Sequence, residues 1–453
     1  MTSARFRTPA ALRWLARVMN ERWGAAFELR EEDGRLALVL AGQSARLVFD
    51  ASHTSFDGSA SALSCPRWSP EAEGWQSALG KPLPAPGLRQ LPAPLCERMS
   101  NGYVVHYDLP ALLFWMLARV EELGSHELDS HTRFPAGASH AKRHEYLERP
   151  LVDEWLFWLQ QVVERTWAGA ITRRAAFSQR VSHDVDAPAR YGFCSPTRLV
   201  SAIGGDILKR RDFRSLYRAP WLRLGAGATL NPRDPYNTFD WIMAESEQRG
   251  LSSAFYFICG RTHKKRDAQY EPEHPAIREL MRRIHARGHE IGLHPSYATF
   301  QAPELLAAEA ARLKRICGEE GIKQAEWGGR MHFLRWQAPL TLRGWELAGM
   351  SYESSLSYAD WAGFRAGTCF EYPAFDPVQD RELALRLRPL VAMECTVIDS
   401  RYMALGTGRA AFDKFMELKR ACRAVGGCFT LLWHNSRFTP AERELYRAVL
   451  DAA

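Results

Sequence analysis

From Phe177 onward, short apolar runs alternate with stretches in which apolar residues recur every three or four positions. FSQRVSHDVD, SAFYFICG, HEIGLH, AEWGGRMHF, MSYESSLSY, LRPLVAMECTVID and GCFTLLWHN read as strands. Between them NTFDWIMAESEQRG, HPAIRELMRRIHARG, APELLAAEAARLKRICGEEG, LTLRGWELAG and RAAFDKFMELKRACRAVGG read as helices, several closing on Gly. About seven strands alternating with helices predict an α/β fold with a parallel sheet, either open or closed into a (β/α) barrel.

The first 170 or so residues are patterned differently. Leu12, Leu15, Ala16 and Met19 are spaced like one face of a helix. RLALVLAGQSARLVFD (Arg35–Asp50) predicts two strands about a Gly-containing turn. The stretch from Ser64 to Pro94, rich in Pro, Gly and Ser, predicts irregular backbone. DLPALLFWMLARVEEL and VDEWLFWLQQVVERTW then predict helices whose aromatic residues belong to a core.

Composition narrows the function classes. The chain has 453 residues, enough for two cores, and no apolar run approaches the roughly 18 residues that span a bilayer. Arg13, Arg17, Glu21 and Arg22 interrupt the N-terminal apolar face, which therefore lacks the form of a signal peptide. Nine scattered cysteines form no C-x-x-C pair, which points away from a thiolate zinc site or a disulfide framework. A cytoplasmic location is the expectation.

Net charge is +7, concentrated in KRRDFR (Lys209–Arg214) and RTHKKRD (Arg261–Asp267). Such clusters are first of all solvated surface. They also suit an anionic partner: a nucleotide-linked sugar, an acidic glycan, or a membrane surface to which the chain is peripheral. No recognised nucleic-acid module accompanies them, so nucleic acid is not an expected partner. The first strand is not followed by a G-x-G-x-x-G or P-loop pattern, which argues against dinucleotide or nucleoside triphosphate chemistry.

Chemically capable residues fall at strand ends: Asp184 and Asp186 in the first, His294, His332 and His434 in later ones. In either α/β architecture those ends converge. Alternate residues of a strand share a face, so Asp184 and Asp186 can serve one site. Two carboxylates that close repel unless a cation lies between them or one is protonated. A D-x-D pair also caps turns, and by itself it carries little.

The set HDVD, GHEIGLH, GGRMHFLR, YESSLSYADWAGFRAGT and LLWHN resembles, in order and spacing over residues 177–437, the polysaccharide deacetylase family (the NodB-homology domain of carbohydrate esterase family four). YDLPALLFWMLARVEE, RFPAGASHA and RPLVDEW resemble the region that precedes this domain in a bacterial subfamily associated with surface polysaccharide synthesis. The resemblance implies a distorted (β/α) barrel of about seven parallel strands over 173–453, preceded by a smaller α+β accessory domain over 1–172. It implies Asp184 as general base, Arg330 as the residue orienting it, His434 as general acid, and Asp186 and His294 as metal ligands.

Two departures stand out. Ala298 occupies the position of the family's second motif histidine, and HDVD separates two aspartates that are adjacent in the usual T-F-D-D. The separation leaves open which Asp is base and which is ligand. His332, two residues after Arg330, is the candidate third ligand, or else a packed or substrate-contacting residue. Tyr297, Trp327, Tyr358, Asp360, Trp361, Arg365 and Trp433 are candidate substrate contacts.

The leading expectation is a hydrolase using one divalent metal, zinc, to remove an N-acyl group, most often acetyl, from an amino sugar of a surface polysaccharide or its lipid- or nucleotide-linked precursor. The alternatives are a glycosyltransferase using the D-x-D pair and an inactive glycan-binding protein of the same fold.

Overall fold

In the computed structural model, which describes residues 6–56, 62–224 and 227–452, helix α1 (Pro9–Trp23) starts at Thr8, whose hydroxyl accepts from the Ala11 amide. It buries the face foreseen from Leu12, Leu15, Ala16 and Met19. Strands β1 (Phe27–Glu32), β2 (Arg35–Leu40) and β3 (Arg46–Phe49) run antiparallel. Asp33 and Gly34, both at positive φ, make the tight turn between the first two. After a short β4 (Arg67–Trp68) and β5 (Leu83–Pro84) pair, β6 (Cys96–Met99) and β7 (Gly102–Val105) complete the sheet in the order β1-β2-β3-β7-β6. Helices α2 (Leu109–Leu117), α3 (His140–Arg143) and α4 (Leu151–Thr166) follow.

The remainder alternates strand and helix as the pattern predicts. β8 (Ser178–Val185) is followed by α5 (Pro196–Arg210), α6 (Ser215–Leu224) and α7 (Phe239–Glu247). Next come β9 (Ser253–Phe257), α8 (Pro275–Ala286), β10 (Glu290–Leu293), α9 (Pro303–Glu319), β11 (Gly328–Gly329) and α10 (Leu340–Leu347). Then follow β12 (Tyr352–Glu353), β13 (Tyr372–Asp376), β14 (Arg381–Leu387), β15 (Ala392–Met393) and α11 (Glu394–Ile398). α12 (Arg409–Ala424), β16 (Cys428–Leu432) and α13 (Pro440–Asp451) end the fold. The strand order is β13-β14-β12-β11-β10-β9-β8-β16-β15, parallel throughout except for the β13–β14 hairpin.

A closed barrel is not what forms. Among the described residues no ladder joins β13 to β15, and the sheet is open. The hairpin, which alternation did not reveal, occupies one edge, and α1 covers it: the Trp14 indole donates to the Pro373 carbonyl at 2.9 Å. At the other edge β15 has two residues before the backbone turns into α11, where LRPLVAMECTVID reads as one long strand. The runs 325–333 and 350–358 likewise contribute only two ladder residues each.

One continuous apolar core joins α1, α2 and α4 to the sheet, with Trp14, Phe114 and Phe375 in mutual ring contact. Inside it Glu122 binds Arg365 at 2.9 and 2.5 Å and Arg119 at 2.9 Å, so a buried ion network ties residues 119–122 to the loop after β12.

Candidate active site

β8 lies between β9 and β16, and its pleat sorts H-D-V-D into two sets. His183 faces the core, where its Nδ1 donates to the Trp433 carbonyl at 2.6 Å and its ring stacks on Phe255. Asp184 and Asp186 share the other side, as alternation requires.

The two aspartates have different partners. Asp184 is buried, and its Oδ1 accepts from Arg330 Nη1 at 2.9 Å. The guanidinium is itself fixed: Nε donates to the Ser354 carbonyl at 2.8 Å, and Nη2 to Ser182 Oγ and Ser354 Oγ at 2.9 and 3.1 Å. Asp184 Oδ2 is left facing His294 Nε2 at 3.7 Å. Arg330 reaches this position because β11 is glycine. A Cβ on Gly329 would stand 1.8 Å from the Leu293 carbonyl oxygen, and one on Gly328 would stand 2.2 Å from the Tyr352 ring. No side chain fits between β10 and β12 there.

Three histidines face Asp186 with the same ring edge. His294 Nδ1 donates to the Arg330 carbonyl at 2.6 Å, and its Nε2 lies 3.2 Å from Asp186 Oδ1. His332 Nδ1 donates to Asp267 Oδ1 at 3.1 Å, and its Nε2 lies 3.5 Å from the same Asp186 oxygen. His434 Nδ1 donates to Glu394 Oε1 at 2.6 Å, and its Nε2 lies 3.7 Å from Asp186 Oδ2. Carbonyl and carboxylate oxygens only accept, so each Nδ1 carries a proton. With Nδ1 committed in each ring, all three Nε2 atoms converge on the Asp186 carboxylate, where each can carry a proton or serve as a metal ligand.

The donor set fits a divalent metal. Ligand atoms of Asp186, His294 and His332 all lie within 4.8 Å of one another. Asp186 Oδ1 is buried and has no hydrogen-bond donor. Burial would raise the Asp186 pKa, but His332, His294 and His434 outweigh it and hold the carboxyl far below the usual range. Two imidazole nitrogens and one carboxylate oxygen match the three-ligand donor set of a catalytic divalent-metal site.

Ala298 is exposed, its amide bound by Thr262 Oγ1 at 2.8 Å, so that position turns away from the centre. His332 enters from the next strand's end instead.

Two acids that sequence reasoning missed orient these rings. Asp267, buried, also accepts from the Tyr297 amide at 2.8 Å and the His263 amide at 2.7 Å, so it is anchored before it meets His332. It ends a run of surface charges, where nothing marks it. Glu394 is fully buried, and a lone acid inside the apolar run LVAMECTVI was a readable sign that a partner awaited it. Burial alone would lower the pKa of His434, but Glu394 and Cys395 raise it well above the ordinary value.

The mouth is a cavity of about 220 Å³ whose wall includes Asp186, the three histidines and, from the N-terminal region, His131 and Arg133. Phe333 and Leu334 also line it, both in left-handed backbone at φ 61° and 54°, and the Phe333 ring stacks on His131 at 4.8 Å. Strain of this kind is characteristic of functional sites. Arg401 and Arg437 also line it. None of the seven candidate substrate contacts lines this cavity. Trp433 is core, Tyr358 and Arg365 belong to the buried ion network, and Trp361 donates to Glu148. Asp360 caps the Ala136 amide, Trp327 packs at the core edge, and Tyr297 supports the wall by a bond to His131 at 3.1 Å.

A family model described as a family of unknown function, DUF7033, matches residues 64–168. No curated protein matches the chain significantly. Among solved structures the chain is similar to one provisionally named a polysaccharide deacetylase, from Mycobacterium smegmatis, at 16% identity and a TM-score of 0.38, over 62% of this chain and 84% of that one.

Proposed function

We propose that the chain is a metal-dependent hydrolase that removes an N-acyl group, acetyl first, from an amino sugar. One observation carries the reading: the open Asp186–His294–His332 donor set stands beside a fixed carboxylate, Asp184, and an acid-competent imidazole, His434. Asp186, His294 and His332 would hold the metal. A bound divalent metal, zinc in this donor set, supplies Lewis-acid polarisation of the acyl carbonyl and of water.

The remaining steps belong to side chains. Arg330 fixes Asp184 through Oδ1, leaving Oδ2 to take a proton from the attacking water. His434, kept protonated by Glu394, delivers a proton from Nε2 to the departing amine. Arg133, Arg401 and Arg437 on the cavity wall are paired with Asp129 and Asp399, and an anionic group of the substrate, as lipid- or nucleotide-linked sugar precursors carry, would share these guanidinium groups. Asp184 and Asp186 bind different partners, which weighs against the D-x-D glycosyltransferase reading. The N-terminal residues 1–172 act in this reading as an accessory unit that supplies one wall of the mouth through His131 and Arg133.

The test is metal content together with acetate release from N-acetylated amino sugars. A protein that binds no divalent metal and releases no acetate from any of them rejects the reading. Two variants sharpen it. His332→Ala should lose most of the bound metal, whereas Asp267→Asn, whose NH2 leaves either His332 Nδ1 and the Tyr297 amide or the His263 amide without an acceptor, should weaken metal affinity by about 10–100-fold, measured by competition with a chelator. Unchanged affinity in both removes His332 from the ligand set.

Glu394→Gln should move the alkaline limb of kcat. Because Glu394 raises the pKa of His434, its protonated form persists to higher pH than that of an ordinary imidazole and is lost only as pH rises through that raised value. Without the carboxylate the limb should fall toward the ordinary imidazole pKa of about 6.5. A limb that stays in place makes another group the acid.

A further inference from the structure

The connection from β8 to α7 contains a helical hairpin that, among the described residues, shares no apolar contact cluster with the main core. α5 and α6 pack on each other through Leu199, Ala202, Ile203, Ala219 and Leu222, with Tyr191 at the base. Arg190 ion-pairs with Asp206 of α5, and Tyr191 donates to the same carboxylate at 2.6 Å, pinning the hairpin to the end of β8.

It exposes an unusual number of large apolar side chains. Val200, Leu208, Phe213, Leu216, Tyr217 and Trp221 are between 54% and 83% exposed, and only four other large apolar side chains among the described residues are comparably exposed. On α6, Leu216, Tyr217, Pro220 and Trp221 fall within one 140° arc, as the roughly 100° step per residue places them. A patch of this kind on a water-facing element marks an interaction surface.

Charge identifies what covers it. Residues 196–224 contain seven Arg and Lys against two Asp. Arg211 and Arg214 are exposed beside Phe213, and Arg218 and Arg223 are half-buried on α6. The side chains of Lys209 and Arg210, part of the KRRDFR cluster, lie outside the described residues. A second copy docking face to face would bring two such cationic surfaces together. Aromatic and aliphatic side chains set among arginines match instead the interface of a bilayer that contains anionic lipid.

We propose that the α5–α6 hairpin docks this protein onto an anionic membrane surface, its apolar tip entering the headgroup region. The hairpin follows directly on the strand that ends in Asp184 and Asp186, and Arg198 donates to the Lys265 carbonyl at 2.9 Å, in the loop that carries Asp267. The hairpin is thereby held at the same end of the sheet as the site.

The full-length protein is sedimented with phosphatidylglycerol–phosphatidylcholine vesicles and with phosphatidylcholine vesicles alone, at low and high salt. Binding should be at least about tenfold tighter to the anionic vesicles and should weaken with salt. The variant Phe213→Ser/Leu216→Ser/Trp221→Ser, altered only at exposed positions, should lose about 100-fold in vesicle affinity. The variant Arg211→Glu/Arg214→Glu should lose at least about tenfold. Both should keep their bound metal. Absence of vesicle binding, equal binding by the triple Ser variant, or a wild-type dimer that this variant dissolves would each overturn the proposal. Vesicle binding is read without turnover, so its failure and that of the hydrolase reading are separate results.

Discussion

Asp184→Asn is expected to lower kcat by about 10³-fold, within the range typical of a positioned general base, while leaving the fold and most of the bound metal in place. The amide has the shape of the carboxylate, and its oxygen still accepts from Arg330 Nη1, so the buried guanidinium keeps its partner. What disappears is the basic oxygen facing the site, and with it the only carboxylate among the described residues beside the donor set that is not itself bonded to an imidazole Nδ1 or facing three Nε2 atoms. The measurement is kcat on an N-acetylated amino sugar, with metal content and thermal midpoint as controls. Activity within a few fold of wild type would remove Asp184 from the chemistry. Activity lost together with metal would instead make Asp184 a ligand and reopen the division of labour that H-D-V-D leaves undecided.

Glu122→Ala is expected to destabilise the protein by about 3–5 kcal/mol, the usual cost of leaving a buried ion without its counter-charge. Arg119 would retain Glu121 at 2.5 Å, but Arg365 would keep only the Ser357 carbonyl at 2.9 Å. Burial alone would raise the Glu122 pKa, yet Arg365 and Arg119 lower it below the ordinary value. The sign follows: the contribution is complete above the ordinary carboxylate range and is lost as pH falls through the lowered value. Denaturant midpoints for wild type and variant should therefore converge on acidification. A change below 1 kcal/mol at neutral pH would mean that water reaches Arg365 and that the network does not hold the N-terminal region to the sheet.

The first prediction concerns a residue that the sequence singled out, and the second concerns the buried partner of another, Arg365. Asp184 sits where strand alternation puts it. Arg365, expected at the substrate, is instead core, because Glu122, 243 positions away, pairs with it. Nothing in the local pattern around Arg365 could announce that partner. The same holds for Asp267 beneath His332 and for His131 and Arg133 on the cavity wall, contributed by segments that alone look like surface charge or loop.

By itself the sequence determined the alternation of strands and helices, the shared face of Asp184 and Asp186, and the gathering of His294, His332 and His434 at strand ends. These follow from periodicity and from the geometry of parallel strands, which are properties of short segments. The tertiary structure alone decided that the sheet stays open, because a hairpin and α1 occupy the edge a barrel would need. It also decided that His332, and not position 298, faces Asp186, and that each imidazole turns its Nε2 inward. Those outcomes depend on which distant carbonyl or carboxylate takes the Nδ1 proton. That choice is made only when strands far apart in sequence become neighbours, since a hydrogen bond is specified by two partners and a sequence pattern by one segment at a time.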